Sequence, residues 1–253
     1  MNQYHSHMAT SFEAAEYQER FRANEWRARV FRDLILDDAK ALGKERENLV
    51  FLDIGCGCGF DGSVKIQNEF VKAAGQFYGV EPDQDTEISG PFTSTYSCLF
   101  EDADIPPASV DIAFAVMVLE HLAAPQSFFD KLSACLRPGG VFWGFTVDAR
   151  HPFFVASLLS EKVRLKDRYL TWLRGSRGQD RYRNHPTYYR CNTPHQIESL
   201  TTSFSKCTVV NFEAINQLDY YFPTALRWLG TGYCRLAMTM GWPGSILAVR
   251  LEK

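Results

Sequence analysis

The sequence has no apolar run approaching the roughly 18 residues of a membrane-spanning helix, which argues against a membrane-spanning chain. It has almost no excess charge. Its 27 Lys and Arg against 30 Asp and Glu leave −3, so nothing global points to nucleic acid or to an anionic surface. It lacks paired metal ligands. The seven cysteines (56, 58, 98, 135, 191, 207, 234) are scattered and odd in number, and Cys56-x-Cys58 has no second pair at zinc spacing. They read as reduced thiols of a cytoplasmic protein rather than a disulfide framework. His5 and His7 read as a solvated terminal pair, so no metal is expected. The start of the chain is polar and lacks the apolar core of a secretion signal, and no repeat or low-complexity tract is visible. What is present is 253 residues, 45% of them apolar, enough for one large domain with a single core.

One stretch organises the rest. Leu49 to Ile54 is apolar, of strand length, and interrupted near its end by Asp53; Gly55, Gly57, Gly59 and Gly62 follow at short intervals. The run reads as a buried parallel strand. The glycines read as a tight turn where backbone approaches a ligand, with a helix following. Gly57-x-Gly59-x-x-Gly62 formally fits a dinucleotide fingerprint, with Glu81 near the distance of a ribose acid. Asp53 opposes that reading, because a carboxylate at this junction would repel a pyrophosphate. It suits S-adenosylmethionine, which carries an ammonium and a sulfonium and no phosphate.

Leu52-Asp53-Ile54-Gly55-Cys56-Gly57-Cys58-Gly59 resembles the first motif of the class I S-adenosylmethionine-dependent methyltransferases. Two later phrases strengthen the likeness: the strand Ser109–Val118 with its exit Leu119-Glu120-His121, and Leu136-Arg137-Pro138-Gly139-Gly140 before another strand. The resemblance covers about residues 45–148. It implies an α/β, Rossmann-like, seven-stranded, mostly parallel sheet with helices on both faces, its last strand antiparallel. It also implies S-adenosylmethionine as cofactor, held by Asp53, Gly55, Cys56 and Gly57 at the elbow and by Glu81 and Pro82 after the second strand. Glu81 takes the ribose hydroxyls. Asp102 and Ala103, with Glu101 as competitor, take the adenine. Val116 and Leu119 line the fourth strand's exit.

Other elements follow from periodicity. Tyr17, Phe21, Ala28, Phe31, Ile35, Ala39 and Leu42 predict one helix over 12–43, a cover with Tyr17 and Phe21 as lid residues. Helices are predicted over 62–74, 125–135 and 193–204, a third strand over 97–100, and later strands over 206–214 and 244–251. A helical cover is predicted over 216–240, packed on the core, with an acceptor wall and a membrane-surface face as the open alternatives. Residues 149–192 follow no βα pattern and read as an α-rich insertion after strand five that covers the substrate. Residues 149–190 hold ten Lys or Arg against three acids, a local +7, and interleave them with aromatics. That composition suggests an acceptor bearing phosphate or carboxylate; RNA answers to the same charge logic. A solvated arm paired with the acidic body is the plain alternative.

The expected organisation is one domain over 1–253: a cover (12–43), a cofactor core (45–148), the insertion (149–192) and the end of the sheet with its helical cover (193–253). The expected activity is methyl transfer to a small-molecule acceptor, O-methylation of an anionic or carrier-linked metabolite first, N- or C-methylation second, RNA methylation third, and a non-catalytic S-adenosylmethionine-binding scaffold last. No Pro-Pro-aromatic signature of adenine or glutamine methylation stands at the strand-four exit, and nucleic acid is not the favoured partner. Acid–base candidates for a hydroxyl acceptor are His151, His185, Tyr188 and His121.

Overall fold

A computed structural model of the chain describes residues 11–88, 90–152, 154–155, 172, 186–215, 218 and 221–253. Seven strands form one sheet: β1 (Val50–Ile54), β2 (Gln76–Val80), β3 (Ser94–Tyr96), β4 (Val110–Val116), β5 (Leu136–Val147), β6 (Lys206–Phe212) and β7 (Ile246–Glu252). Their order is β3-β2-β1-β4-β5-β7-β6. β1, β2, β3, β4 and β5 run parallel, and β7 lies antiparallel between β5 and β6. The chain reverses between β1 and β4, which opens a crevice beyond their carboxyl ends, where ligands bind in open α/β sheets.

Helices cover both faces. α1 (Ser11–Arg22), α2 (Arg27–Leu42) and α3 (Val64–Phe70) pack on one face, around Phe31, Phe70, Phe77 and Phe114. On the other, α4 (Pro125–Cys135) and α5 (Pro194–Leu200) bury Phe128, Phe129, Leu132 and Ile197. α6 (Arg227–Thr239) stands between β6 and β7 in the chain. β1 and most of β4 are buried on both sides, as their unbroken apolar runs require.

Several boundaries differ from the sequence reading. The single N-terminal helix is two, broken over Ala23–Trp26, where Asn24 adopts φ 70°. The break folds α1 back: Phe21 meets Phe31 and Phe212, and Gln18 Nε2 donates to the Asn211 carbonyl at 2.8 Å. Tyr17 and Phe21 are therefore core residues, not a lid. α3 is shorter than expected because Gly75 N–H already donates to Leu49 O at 2.7 Å, so the chain is joining β1 where a longer helix would run. β3 falls at 94–96, not 97–100; Thr93 N–H donates to Phe77 O at 2.6 Å and fixes the earlier register. Pro138-Gly139-Gly140 is a bulge inside β5, where pairing jumps from Val110–Leu136 to Ile112–Val141. Most of the insertion, including His185, lies outside the described residues.

Candidate functional site

The elbow begins where β1 ends. The N–H groups of Gly55 and Cys56 both donate to Val80 O, at 2.8 and 3.1 Å, which ties the turn to the end of β2. Gly59 adopts φ 103°, and a Cβ there would lie 2.5 Å from the Val64 nitrogen, so only glycine lets α3 start this close. Ser63 caps α3 by accepting from Ile66 N–H at 3.3 Å. Arg27, at the head of α2, closes the far side with a two-point ion pair to Asp61, at 2.8 and 2.6 Å.

Two carboxylates flank this turn. Asp53 is 3% exposed, and Gln67 Nε2 donates to its Oδ2 at 3.0 Å. Burial, opposed by that hydrogen bond and aided by the negative charge of Glu81, pushes its pKa up to about 7. Glu81 is 8% exposed; its Oε2 accepts from Gly57 N–H at 3.0 Å and its Oε1 from Asp83 N–H at 3.0 Å. A Cβ on Gly57 would come within 3.1 Å of that Oε2, so glycine keeps the space between elbow and acid open. The cradle thus holds two buried acids, and no cation is among the groups that shift Asp53. Such a donor set fits the cationic, phosphate-free S-adenosylmethionine and opposes a pyrophosphate.

The remaining cofactor candidates ring the same end of the sheet. Pro82 is exposed beside Glu81. Asp102 is exposed and ends a 3-10 turn, Phe100–Asp102, while Ala103 is buried and its N–H donates to Phe100 O at 3.2 Å. Val116 is half-buried, and Leu119 is fully buried. Val118 reaches the elbow: a Cβ on Gly55 would lie 2.5 Å from its Cγ2.

The exit of β4 carries a polar cluster that the sequence reading had not assembled. Glu120 is buried and accepts from Thr146 Oγ1 at 2.7 Å; Thr146 in turn accepts from Asn192 Nδ2 at 2.7 Å. Burial raises the Glu120 carboxyl above its usual range. The Glu120 carbonyl accepts the N–H groups of Tyr188 and Tyr189, at 2.8 and 3.2 Å, and Cys191 Sγ donates to Leu119 O at 3.2 Å. The residues that close the insertion are thereby laced to the strand-four exit. Glu120 beside His121 was visible as a polar pair; its link to residues 146 and 192 spans separate segments and left no local signal.

The four acid–base candidates separate. His121 Nδ1 lies 3.0 Å from Pro186 O. A carbonyl only accepts, so this nitrogen carries the hydrogen, and the basic lone pair of the neutral ring falls on Nε2. The Tyr188 side chain is exposed beside the Arg190 guanidinium. His151 is 2% exposed, on the β7 side, with its ring against Tyr233 and its Nε2 4.0 Å from Glu213. Burial lowers its pKa. His185 is outside the described residues. A cavity of about 860 Å3 lined by Leu36, Asn48, Glu69 and Lys72 lies at the amino-terminal end of β1 and contains none of these groups.

The strand order and the glycine elbow between two acidic strand ends define the class I S-adenosylmethionine-dependent methyltransferases. A methyltransferase-domain family model matches residues 23–200, and the chain belongs to that family. Its cofactor is S-adenosylmethionine. Over 143 residues it is 28% identical to a ubiquinone biosynthesis O-methyltransferase of Nitrobacter winogradskyi, covering 53% of this chain and 51% of that one. An uncharacterised methyltransferase of Mycolicibacterium vanbaalenii is 32% identical over 107 residues, 40% of each chain. The chain thus spans about half the length or less of these curated relatives. In fold it is similar to an S-adenosylmethionine-dependent methyltransferase of Thermotoga maritima, described as a possible histamine N-methyltransferase. The TM-score is 0.52, with 16% identity, over 96% of this chain and 97% of the other.

Proposed function

We propose that this chain transfers a methyl group to an oxygen of a small acceptor that is anionic or carrier-linked. The observation that carries this reading is His121, whose basic nitrogen is fixed as Nε2 at the exit of the strand that also touches the elbow. The names of the relatives matched over about half their length, ubiquinone biosynthesis O-methyltransferases, support the oxygen. The +7 balance of residues 149–190 supports the negative charge.

Bound S-adenosylmethionine supplies a methyl group already activated on a sulfonium. The chain's own work is positioning. Asp53 faces the cationic end of the cofactor, Glu81 accepts from the ribose hydroxyls, and Asp102 and Ala103 meet the adenine. Pro82, Val116 and Leu119 wall the crevice with Gly55, Cys56 and Gly57. His121 takes the acceptor's hydroxyl proton at Nε2 and holds it, leaving an oxygen that can attack in line. His151 is the weaker candidate because its ring is turned into a buried corner. Tyr188 and His185 close the insertion, and we keep them as acceptor contacts. The division into cover, cofactor core, insertion and sheet end follows the same reading.

The test is transfer of a labelled methyl group from S-adenosylmethionine into cell extract, with the product's new bond assigned by NMR. A methoxy product is expected, and His121→Ala should lower turnover by about 100- to 10,000-fold with cofactor affinity unchanged. A new N-methyl or C-methyl bond, or undiminished turnover in His121→Ala, refutes the oxygen-and-histidine reading.

A further inference from the structure

The pattern of α6 is inverted. Its buried positions are small, Gly230, Cys234 and Ala237. Three of its exposed positions are large and apolar, Trp228 at 67%, Leu229 at 41% and Leu236 at 53%; Met240, just past the helix end, is 56% exposed, and Trp242 is exposed beyond it. Gly232, Arg235 and Thr239 are exposed as well. At 100° per residue, the exposed large residues fall on one arc and the buried small ones on the opposite arc. A helix that only filled the core would place them the other way round. Among the described residues, nothing covers this face.

Charge narrows what could. From Tyr221 to Ser245 there is no acidic residue, and there are two arginines, Arg227 and Arg235. Arg235 stands exposed on the apolar arc. A second copy docking about a two-fold axis would set this acid-free face against itself, cation toward cation. A bilayer with anionic headgroups complements it: tryptophan, leucine and methionine enter the headgroup–acyl boundary while arginine meets phosphate. α6 has 13 residues and does not span; no helix among the described residues is long and apolar enough to cross a membrane. At 1.5 Å per residue it is about 20 Å long, enough to lie in the interface plane. Its buried face meets Leu218 and Phe222 at Gly230, and Tyr233 stands edge-on against His151, just past the end of β5.

We propose that α6 and Trp242 form a membrane-docking surface for anionic lipid bilayers, seated by Trp228, Leu229, Leu236 and Met240. Docking is independent of which atom the enzyme methylates, so its failure leaves the oxygen-transfer reading untouched.

The experiment is flotation of the full chain with vesicles of phosphatidylcholine containing about a third phosphatidylglycerol, against vesicles of phosphatidylcholine alone. Binding to the anionic vesicles is expected, with a blue shift of tryptophan emission. Trp228→Glu and Leu236→Glu should each lower partitioning by about tenfold or more, the scale set by burying one large apolar side chain. Arg235→Gln should lower it by about fivefold on anionic vesicles only. All three positions are exposed, so thermal unfolding should not move. The proposal is overturned by absence of binding to anionic vesicles, by equal binding of wild type and the glutamate variants, or by concentration-dependent dimers that the glutamate substitutions abolish. Wild-type emission, unshifted by anionic vesicles at saturating lipid, overturns it without reference to any variant.

Discussion

Two buried aspartates mark the two ends of the sheet. Asp111 sits at the amino end of β4, and Asp53 near the carboxyl end of β1; both are buried. Asp111 is fully partnered. It accepts from Arg46 at 2.9 Å, from Val50 N–H at 2.9 Å and from Arg137 at 2.5 Å, and so pins the strand starts to two flanking loops. Asp53 has the Gln67 amide and a second acid nearby. A buried carboxylate with two arginines is complete as it stands. One with a single neutral donor carries an unmet demand for positive charge, and under the proposed function that demand falls to the cationic cofactor. The same side chain is structural at one end of the molecule and receptive at the other.

Substitution at the structural end should give the larger effect. Asp111→Ala removes three hydrogen bonds to a charged acceptor and leaves the Val50 N–H buried. A loss of about 3–5 kcal/mol in unfolding free energy is expected, with S-adenosylmethionine affinity nearly intact once the fold is populated. Denaturant titration with and without cofactor checks this. A loss under 1 kcal/mol would mean that Asp111 is not the clamp its geometry shows.

At the receptive end the sign reverses. Asp53 has a folded pKa of about 7, above the roughly 3.9 of an unfolded aspartate. Between those values the native state binds the proton and the unfolded state does not, so this group lowers stability as pH rises from 4 to 7 and leaves the full cost above 7. Asp53→Asn should therefore stabilise the cofactor-free protein at pH 8, by on the order of 4 kcal/mol. It should weaken cofactor binding in the same preparation. Destabilisation at pH 8 would remove the basis for the comparison. Glu81→Ala comes next. Losing a charged acceptor for ribose should cost S-adenosylmethionine about 1.5–3 kcal/mol, read by calorimetry. Unchanged affinity would place the ribose elsewhere.

How much of this could be read in advance depends on how local each cause is. β1, β4 and the elbow were legible because buried parallel strands write themselves as apolar runs, and the turn needs glycine. Glu81 was legible as an acid at a strand end. The break between α1 and α2 was not, since Ala23-Asn24-Glu25-Trp26 contains neither Gly nor Pro and the turn rests on Asn24 at φ 70°. Gln67 reads as one more polar helix residue, and only packing shows it buried against Asp53. The Glu120–Thr146–Asn192 chain joins three segments, with steps of 26 and 46 positions, and no window of sequence holds it. α6 shows a different limit: its aromatic, apolar rhythm reads first as core cover and leaves a membrane-surface face open, because periodicity finds a face without telling which side turns inward.

The smallest expected effect is the sharpest, because it belongs to Asp53 alone. Near pH 7 a group with a pKa of about 7 is roughly half protonated in the free protein. A cation placed beside it favours the ionised form and pulls that pKa down. Binding S-adenosylmethionine at pH 7 should then release about half a proton. The observed heat should change with the ionisation enthalpy of the buffer, and affinity should rise between pH 6 and 8 and level off above. Asp53→Asn should abolish both, while Asp111→Asn should leave both in place. Proton uptake instead of release, or the same buffer dependence in Asp53→Asn, would show that the charge the elbow awaits is not met at Asp53.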